Sequence, residues 1–149
     1  MFLIVFRDRQ ITKKNTISEN KGNCIRVIKA RNISDDGTLS DIPGYDRFID
    51  YDSNQHLTVM QYVNNMKIYL TPNMTYKTRV IRNVKNVVPD GSVAVLFSKD
   101  ERDISDEQLS YFATDEYRKF YFVARNMSTQ SINVDKTSVF FYGVKKDDE

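Results

Sequence analysis

The sequence predicts an all-β domain, a compact sandwich or distorted barrel of short strands, with one short helix over residues 105–112. Three observations carry this. Short runs rich in Val, Ile, Tyr and Phe recur at roughly ten-residue spacing, each closed by Gly, Pro, Asn or Asp. Residues 87–97 read Val-Val-Pro-Asp-Gly-Ser-Val-Ala-Val-Leu-Phe, a turn followed by a β-branched run with no helical spacing. Only Ser105-Asp106-Glu107-Gln108 has the form of a helix start, a capping box with acidic residues where the helix dipole favours them.

Residues 1–6 are apolar and stop at Arg7-Asp8-Arg9. They lack a basic lead-in and are too short for a signal-peptide core or a bilayer span, so they read as an N-terminal strand. Residues 7–23 are rich in Lys, Asn, Thr and Ser and read as a connector or arm, not a packed element. A strand on such an arm either exchanges between protomers or adds an edge to its own domain. Residues 24–30 alternate, with Ile25 and Val27 on one side and Cys24, Arg26 and Ile28 on the other. A turn-rich loop with Asp35-Asp36-Gly37 leads to a strand at 47–51. Strands are expected at 57–63 and 66–70 about the turn Asn64-Asn65, and at 75–81 and 84–88 about Arg82-Asn83. Pro89 presets a turn, Gly91 suits a positive φ, and Val93, Val95 and Phe97 share one strand face. In the helix, Ile104, Gln108, Leu109 and Phe112 make an apolar face. Further strands are expected at 119–125, 131–134 and 138–144. The division is an N-terminal strand and polar arm (1–23), a single β-domain (24–144) and a charged tail (145–149).

With 149 residues, of which 40% are hydrophobic, the chain is long enough for one self-sufficient core. A net charge of +2 gives no strong electrostatic case for nucleic acid. One cysteine, Cys24, and one histidine, His56, exclude an internal disulfide and a Cys/His zinc site, and no cofactor is expected. Without a signal peptide, the sequons at Asn32, Asn73 and Asn126 read as chance, and the protein is expected inside a cell, away from membranes.

Asp46, Asp50 and Asp52 have even spacing and would share a strand face, a carboxylate set that can hold Ca²⁺ or Mg²⁺; the plain reading is a solvated face beside a turn. Lys77, Arg79, Arg82 and Lys85, with Tyr69 and Tyr76 nearby, interleave charge and rings as single-strand binders do, although the near-neutral net charge argues against it. Aromatics crowd the C-terminal third: Tyr111, Phe112, Tyr117, the run 120–122 and the run 140–142. Alternation would send rings to both faces of both runs, and the second face needs either another sheet or a subunit partner to cover it. The interface candidates are Phe2, Ile4, Phe6, Phe120, Phe122, Phe140 and Tyr142.

Gly44-Tyr45-Asp46, Thr71-Pro72-Asn73, Pro89-Asp90-Gly91 before an apolar strand, Thr114-Asp115-Glu116-Tyr117-Arg118 before another, and Asn126-Met127-Ser128 stand in collinear order. In this order residues 44–144 resemble the trimeric dUTPase and dCTP deaminase superfamily, which implies a β-fold and a homotrimer. The departures fall on the chemistry. Where that family has Arg-Ser-Ser for phosphates, this chain has Ser98-Lys99-Asp100, and a carboxylate there repels a triphosphate. The family's water-activating Asp aligns with Thr114, which is no general base at neutral pH, and Asp115 is one residue off. The closing Gln is replaced near Phe140, and a Gly-rich C-terminal arm is missing. Tyr117 stands where the family stacks a base, alongside the plainer reading of a packed ring.

The expectation is therefore a non-enzymatic structural protein, with Lys99, Asp115 and Tyr117 as vestigial site residues. It is expected to form a homotrimer, in a virion or host cytoplasm, as a phage head, fibre or tail component meeting other virion proteins through its N-terminal strand. The alternatives are a dUTPase-class nucleotide-binding or hydrolysing enzyme, and an all-β carbohydrate- or protein-binding module.

Overall fold

The computed structural model describes residues 3–75, 77–98, 103–125 and 132–133. Along the chain run β1 (Leu3–Phe6), β2 (Cys24–Ile28), β3 (Arg47–Asp50), β4 (Ile68–Pro72), β5 (Met74–Thr75), β6 (Ile81–Arg82), β7 (Val87–Pro89) and β8 (Val93–Ser98), then α1 (Asp106–Phe112), α2 (Asp115–Arg125) and β9 (Ile132–Asn133). One sheet has the order β1-β8-β4-β6 with antiparallel neighbours throughout. A second has the order β3-β2-β7, antiparallel between β2 and β3 and parallel between β2 and β7. β5 and β9 form a separate antiparallel pair.

Strand β8 is central because both of its faces are buried, which is why it reads as an unbroken apolar run. Val93 and Val95 face a core between the two sheets with Ile28, Ile68, Leu70 and Val87. Ala94 and Leu96 face the other way, joining Tyr69 beneath the helices with Phe112, Tyr117 and Tyr121. A third core lies on the far side of the smaller sheet, where Ile25, Val27, Ile49 and Val88 meet Ile11, Val59 and Met60. The alternation expected in residues 24–30 thus holds, with Ile28 facing one core and Ile25 and Val27 another.

The strands at 24–28, 47–50 and 93–98 and the helix at 106–112 are where the sequence placed them. Ser105 caps α1, its side chain accepting the Gln108 N–H at 3.1 Å. Asn64 takes the left-handed conformation (φ 62°) that its turn position predicts. Other expectations need correction. The fold is predominantly β but not all-β, and neither main sheet closes into a barrel among the described residues: each order has two ends.

The largest correction is α2. Residues 119–125 were expected as a strand, and they lie in a helix. Tyr117 and Tyr121 are four apart and both are buried, the spacing of a helix face. Thr114 starts the helix by accepting the Tyr117 N–H at 3.2 Å, and Asp115 and Glu116 occupy its first turn. Residues 57–63 alternate in sequence, but 58–62 form a 3₁₀ turn. The amides of Met60 and Val63 reach the carbonyls three residues back, so Val59 and Met60, although adjacent, are both buried. Arg82, expected in a turn, is paired in β6 opposite Tyr69. The strands expected at 75–81 and 84–88 are correspondingly short, at Ile81–Arg82 and Val87–Pro89. The strand expected at 138–144 lies outside the described residues.

Gly91 has no positive φ. Its lack of a side chain serves close approach instead: a Cβ there would sit 2.9 Å from Arg9 Cγ and 3.2 Å from the Arg9 Cα and the Asp8 carbonyl oxygen. This contact also corrects the reading of residues 7–23 as unpacked. Ile11 and Thr16 are buried, Ile17 exchanges backbone hydrogen bonds with Phe48 at 2.8 Å, and Arg47 donates to the Thr16 carbonyl at 2.7 Å. Enough apolar and hydrogen-bonding groups are scattered among the polar ones to hold the segment down.

Candidate functional site

Tyr69 and Arg82 face each other across β4 and β6, and together they hold the segment that enters α1. The Tyr69 hydroxyl donates to the Asp103 carboxylate and accepts the Ile104 N–H at 2.7 Å. The Arg82 guanidinium donates to Asp103 at 2.8 Å, to Asp106 at 2.9 Å and to the Ile104 carbonyl. It also lies 5.7 Å from the Tyr69 ring centroid. Beside this knot opens a cleft of about 670 Å³ whose walls include Tyr62, Met66, Lys67, Tyr69, Arg82 and Phe97.

The electrostatics favour fastening over proton transfer. Donation from Tyr69, then from Arg82, holds Asp103 below the ordinary carboxylate value. Burial, then donation to Asp103, raises the Tyr69 phenol. The Arg82 guanidinium is shifted up by Asp103 and Asp106. Each group is driven further into its usual charge state, the reverse of what a general acid or base needs.

A pH dependence follows. Because Asp103 binds its proton less readily when folded, its contribution is present above the unfolded value of 3.8 and is lost as pH falls through the lower folded value. Denaturant midpoints measured from pH 6 downward are expected to fall below about pH 4, more steeply in the parent than in Asp103→Asn. Equal slopes would remove Asp103 as a source.

The residues singled out from sequence are dispersed. Tyr117 is buried among Phe112, Tyr111, Phe120 and Tyr121, with ring centroids 5.0 to 6.0 Å away. With only 2% of its surface exposed, it sits as a packed ring does. Asp115 is exposed in the first turn of α2, 4.0 Å from Arg118. Phe120 is 52% exposed, whereas Phe6 turns inward to Tyr62 at 5.0 Å. Ile4 is 38% exposed on β1. Phe122 lies within α2, and its side chain is outside the described residues, as are Phe2, Lys99, Phe140 and Tyr142 altogether.

The three aspartates are each committed to local structure. Asp46 accepts from the Asn32 side chain at 2.7 Å and the Ile42 N–H at 3.0 Å, Asp50 from the Ser53 N–H at 2.9 Å, and Asp52 from Asn23 at 2.8 Å. Among the described residues no group of three His, Cys, Asp or Glu side chains is placed to hold a metal ion. Two members of the basic patch are engaged within the chain: Arg79 is buried and donates to the carbonyls of Ile33, Lys77 and Ala30, while Lys77 pairs with Asp35 at 2.9 Å. The Tyr45 ring has Lys29 3.7 Å and Arg31 4.8 Å from its centroid. Among the described residues no helix is long and apolar enough to cross a membrane.

Sequence reasoning placed Tyr69 near Arg82 in the basic patch but missed Asp103, which no local spacing links to them. No family model matches this sequence, and no curated protein matches it.

Proposed function

We propose that the chain is a non-enzymatic structural protein that assembles as a homotrimer and forms part of a virus particle. The observation that carries the assembly is β1. Among the described residues, Leu3-Ile4-Val5-Phe6 is an edge strand paired with β8 alone, with no charge and no proline along it. Edge strands of monomeric proteins are normally blocked by such residues, because their unpaired backbone groups recruit further strands. Ile4 faces partly outward, while Phe6 anchors the strand end against Tyr62. An exposed, apolar edge of this kind suits strand addition to a second copy or to a neighbouring protein.

The non-catalytic half of the reading is supported by the structural duties of the residues that the dUTPase resemblance would assign to chemistry. Tyr117 fills the core under the helices, and Thr114 caps α2. The homotrimer and the virus particle rest on that resemblance and on the reuse of such compact β-domains by phages as head, fibre or tail parts.

Light scattering on the full chain with excess dUTP and Mg²⁺, with pyrophosphate followed in the same sample, tests both halves. The expected result is a trimer that releases nothing, and a shift to lower mass in Ile4→Lys. Pyrophosphate above background would overturn the reading in favour of a dUTPase-class enzyme. A silent monomer would overturn it in favour of a carbohydrate- or protein-binding module.

A further inference from the structure

We infer that the tip where the loops at residues 63–67 and 83–86 meet docks on an anionic phospholipid surface. The sequence sets its charge. The chain has 20 acidic residues, yet none lies between Ser53 and Pro89, a stretch that carries Lys67, Lys77, Arg79, Arg82 and Lys85. The net charge of +2 therefore hides an uneven distribution. The fold uses three of these cations internally: Arg79 on carbonyls, Lys77 with Asp35, and Arg82 with Asp103 and Asp106. Lys67 and Lys85 are exposed, and among the described residues no ion pair engages either of them. Asp103, which shares a cleft wall with Lys67, is already bonded to Tyr69 and Arg82.

Hydrogen bonds join the two loops. The Asn83 N–H donates to the Ile68 carbonyl at 3.1 Å and its side-chain amide to the Asn65 carbonyl at 2.9 Å, while the Asn86 N–H donates to the Asn64 side chain at 2.8 Å. Asn64 and Asn86 both take the left-handed conformation, at φ 62° and 61°, which turns each loop tightly. Met66-Lys67 and Val84-Lys85 lie between these bonds, so one fixed tip carries all four side chains. Met66 is 49% exposed and Val84 37%; among the described residues only Ile4, Ile17 and Phe120 are other large apolar side chains so open to water.

The partner class follows from the pairing of apolar with cationic groups. A polynucleotide would meet the lysines but leave Met66 and Val84 in water. A protein interface of ordinary size uses roughly 20–30 residues a side, far more than this tip offers. An anionic bilayer surface uses both kinds of group at once: the ammonium groups meet lipid headgroups, while the lysine stems, Met66 and Val84 enter the acyl boundary. Such a contact is reversible and needs neither a signal segment nor a membrane span. It is independent of the assembly proposed above.

The chain has no tryptophan, so Met66→Trp places a single reporter on the tip. Its emission is expected to shift to the blue when the full chain meets vesicles of phosphatidylcholine with about a third phosphatidylserine, and to stay in place with phosphatidylcholine alone. Ile17→Trp, on the segment bridged to β3 in the other sheet, is expected to shift with neither. Flotation of the parent with the anionic vesicles is expected to weaken as salt rises, and to fall about fivefold in each of Lys67→Gln and Lys85→Gln. All four positions are exposed, and a denaturation midpoint close to the parent's verifies that each variant folds. No flotation with the anionic vesicles, an unshifted Met66→Trp, an equal shift in Ile17→Trp, or unchanged flotation in both lysine variants would overturn the inference. Lysine-dependent binding of polyglutamate without flotation would also overturn it, in favour of an acidic protein partner.

Discussion

Replacing Arg79 by methionine is expected to destabilise the fold by roughly 3–5 kcal/mol, the scale of breaking a buried charged network. The guanidinium is buried, and its Nε and Nη2 both donate to the Ile33 carbonyl, at 3.1 and 2.8 Å. Its Nη1 reaches the Lys77 carbonyl at 2.7 Å, and Nη2 also reaches Ala30 at 3.4 Å. Methionine matches the stem but donates nothing, so the Ile33 carbonyl loses both of these donors. The Ala30 carbonyl keeps the Ile33 N–H at 3.1 Å, so the loss concentrates on Ile33 and Lys77. Urea denaturation measures the change. Arg79→Lys is expected to recover only part of it, because an ammonium lacks the planar fork. A loss below about 1 kcal/mol in Arg79→Met would mean that these carbonyls are satisfied by water when the guanidinium is gone.

Tyr117→Ala is expected to cost about 3–5 kcal/mol, as truncation of a buried aromatic does. Tyr117 is 2% exposed and touches rings from both helices, Phe112 at 5.0 Å and Tyr111 at 5.5 Å on one side, Tyr121 at 6.0 Å on the other. Its removal opens a cavity where α1 and α2 meet the sheet, next to Leu96 and Tyr69. The same variant separates two roles for this residue: a packed ring shifts the denaturation midpoint, whereas an exposed base-stacking ring would leave it in place. A cost below about 1 kcal/mol would contradict the packing of α2 on the sheet.

Much of the site-forming chemistry was out of reach of local pattern. Tyr69 and Asp103 meet by hydrogen bond, and Arg82 joins them, because β4 and β6 pair and the chain returns over their edge. Met66, Lys67, Val84 and Lys85 come to one tip by a similar route, through the hydrogen bonds that join their loops. Spacing rules describe residues a few positions apart, and these contacts join residues tens of positions apart. The candidate residues named from sequence take their surroundings from the same tertiary packing. Tyr117, Asp115 and Arg79 carry reactive groups, but burial, a helix terminus and carbonyl neighbours turn each of them to structural use.

Legible in the chain alone were the alternating runs of β2 and β8, the turn between β7 and β8, and the cap of α1. In each the deciding physics is local: side chains alternate along a strand, Pro89 restricts the backbone while the Asp90 carboxylate accepts the Ser92 N–H, and a serine oxygen meets an N–H three residues on. Packing alone settled α2, the 3₁₀ turn at 58–62 and the parallel pairing of β2 with β7. Residues 117–125 satisfy both periods, since aromatic and β-branched residues suit a strand while Tyr117 and Tyr121 suit a helix face. The choice falls to the helix because the outer face of the larger sheet, with Tyr69, Ala94 and Leu96, needs an apolar cover, and the two tyrosines on one helix face supply it.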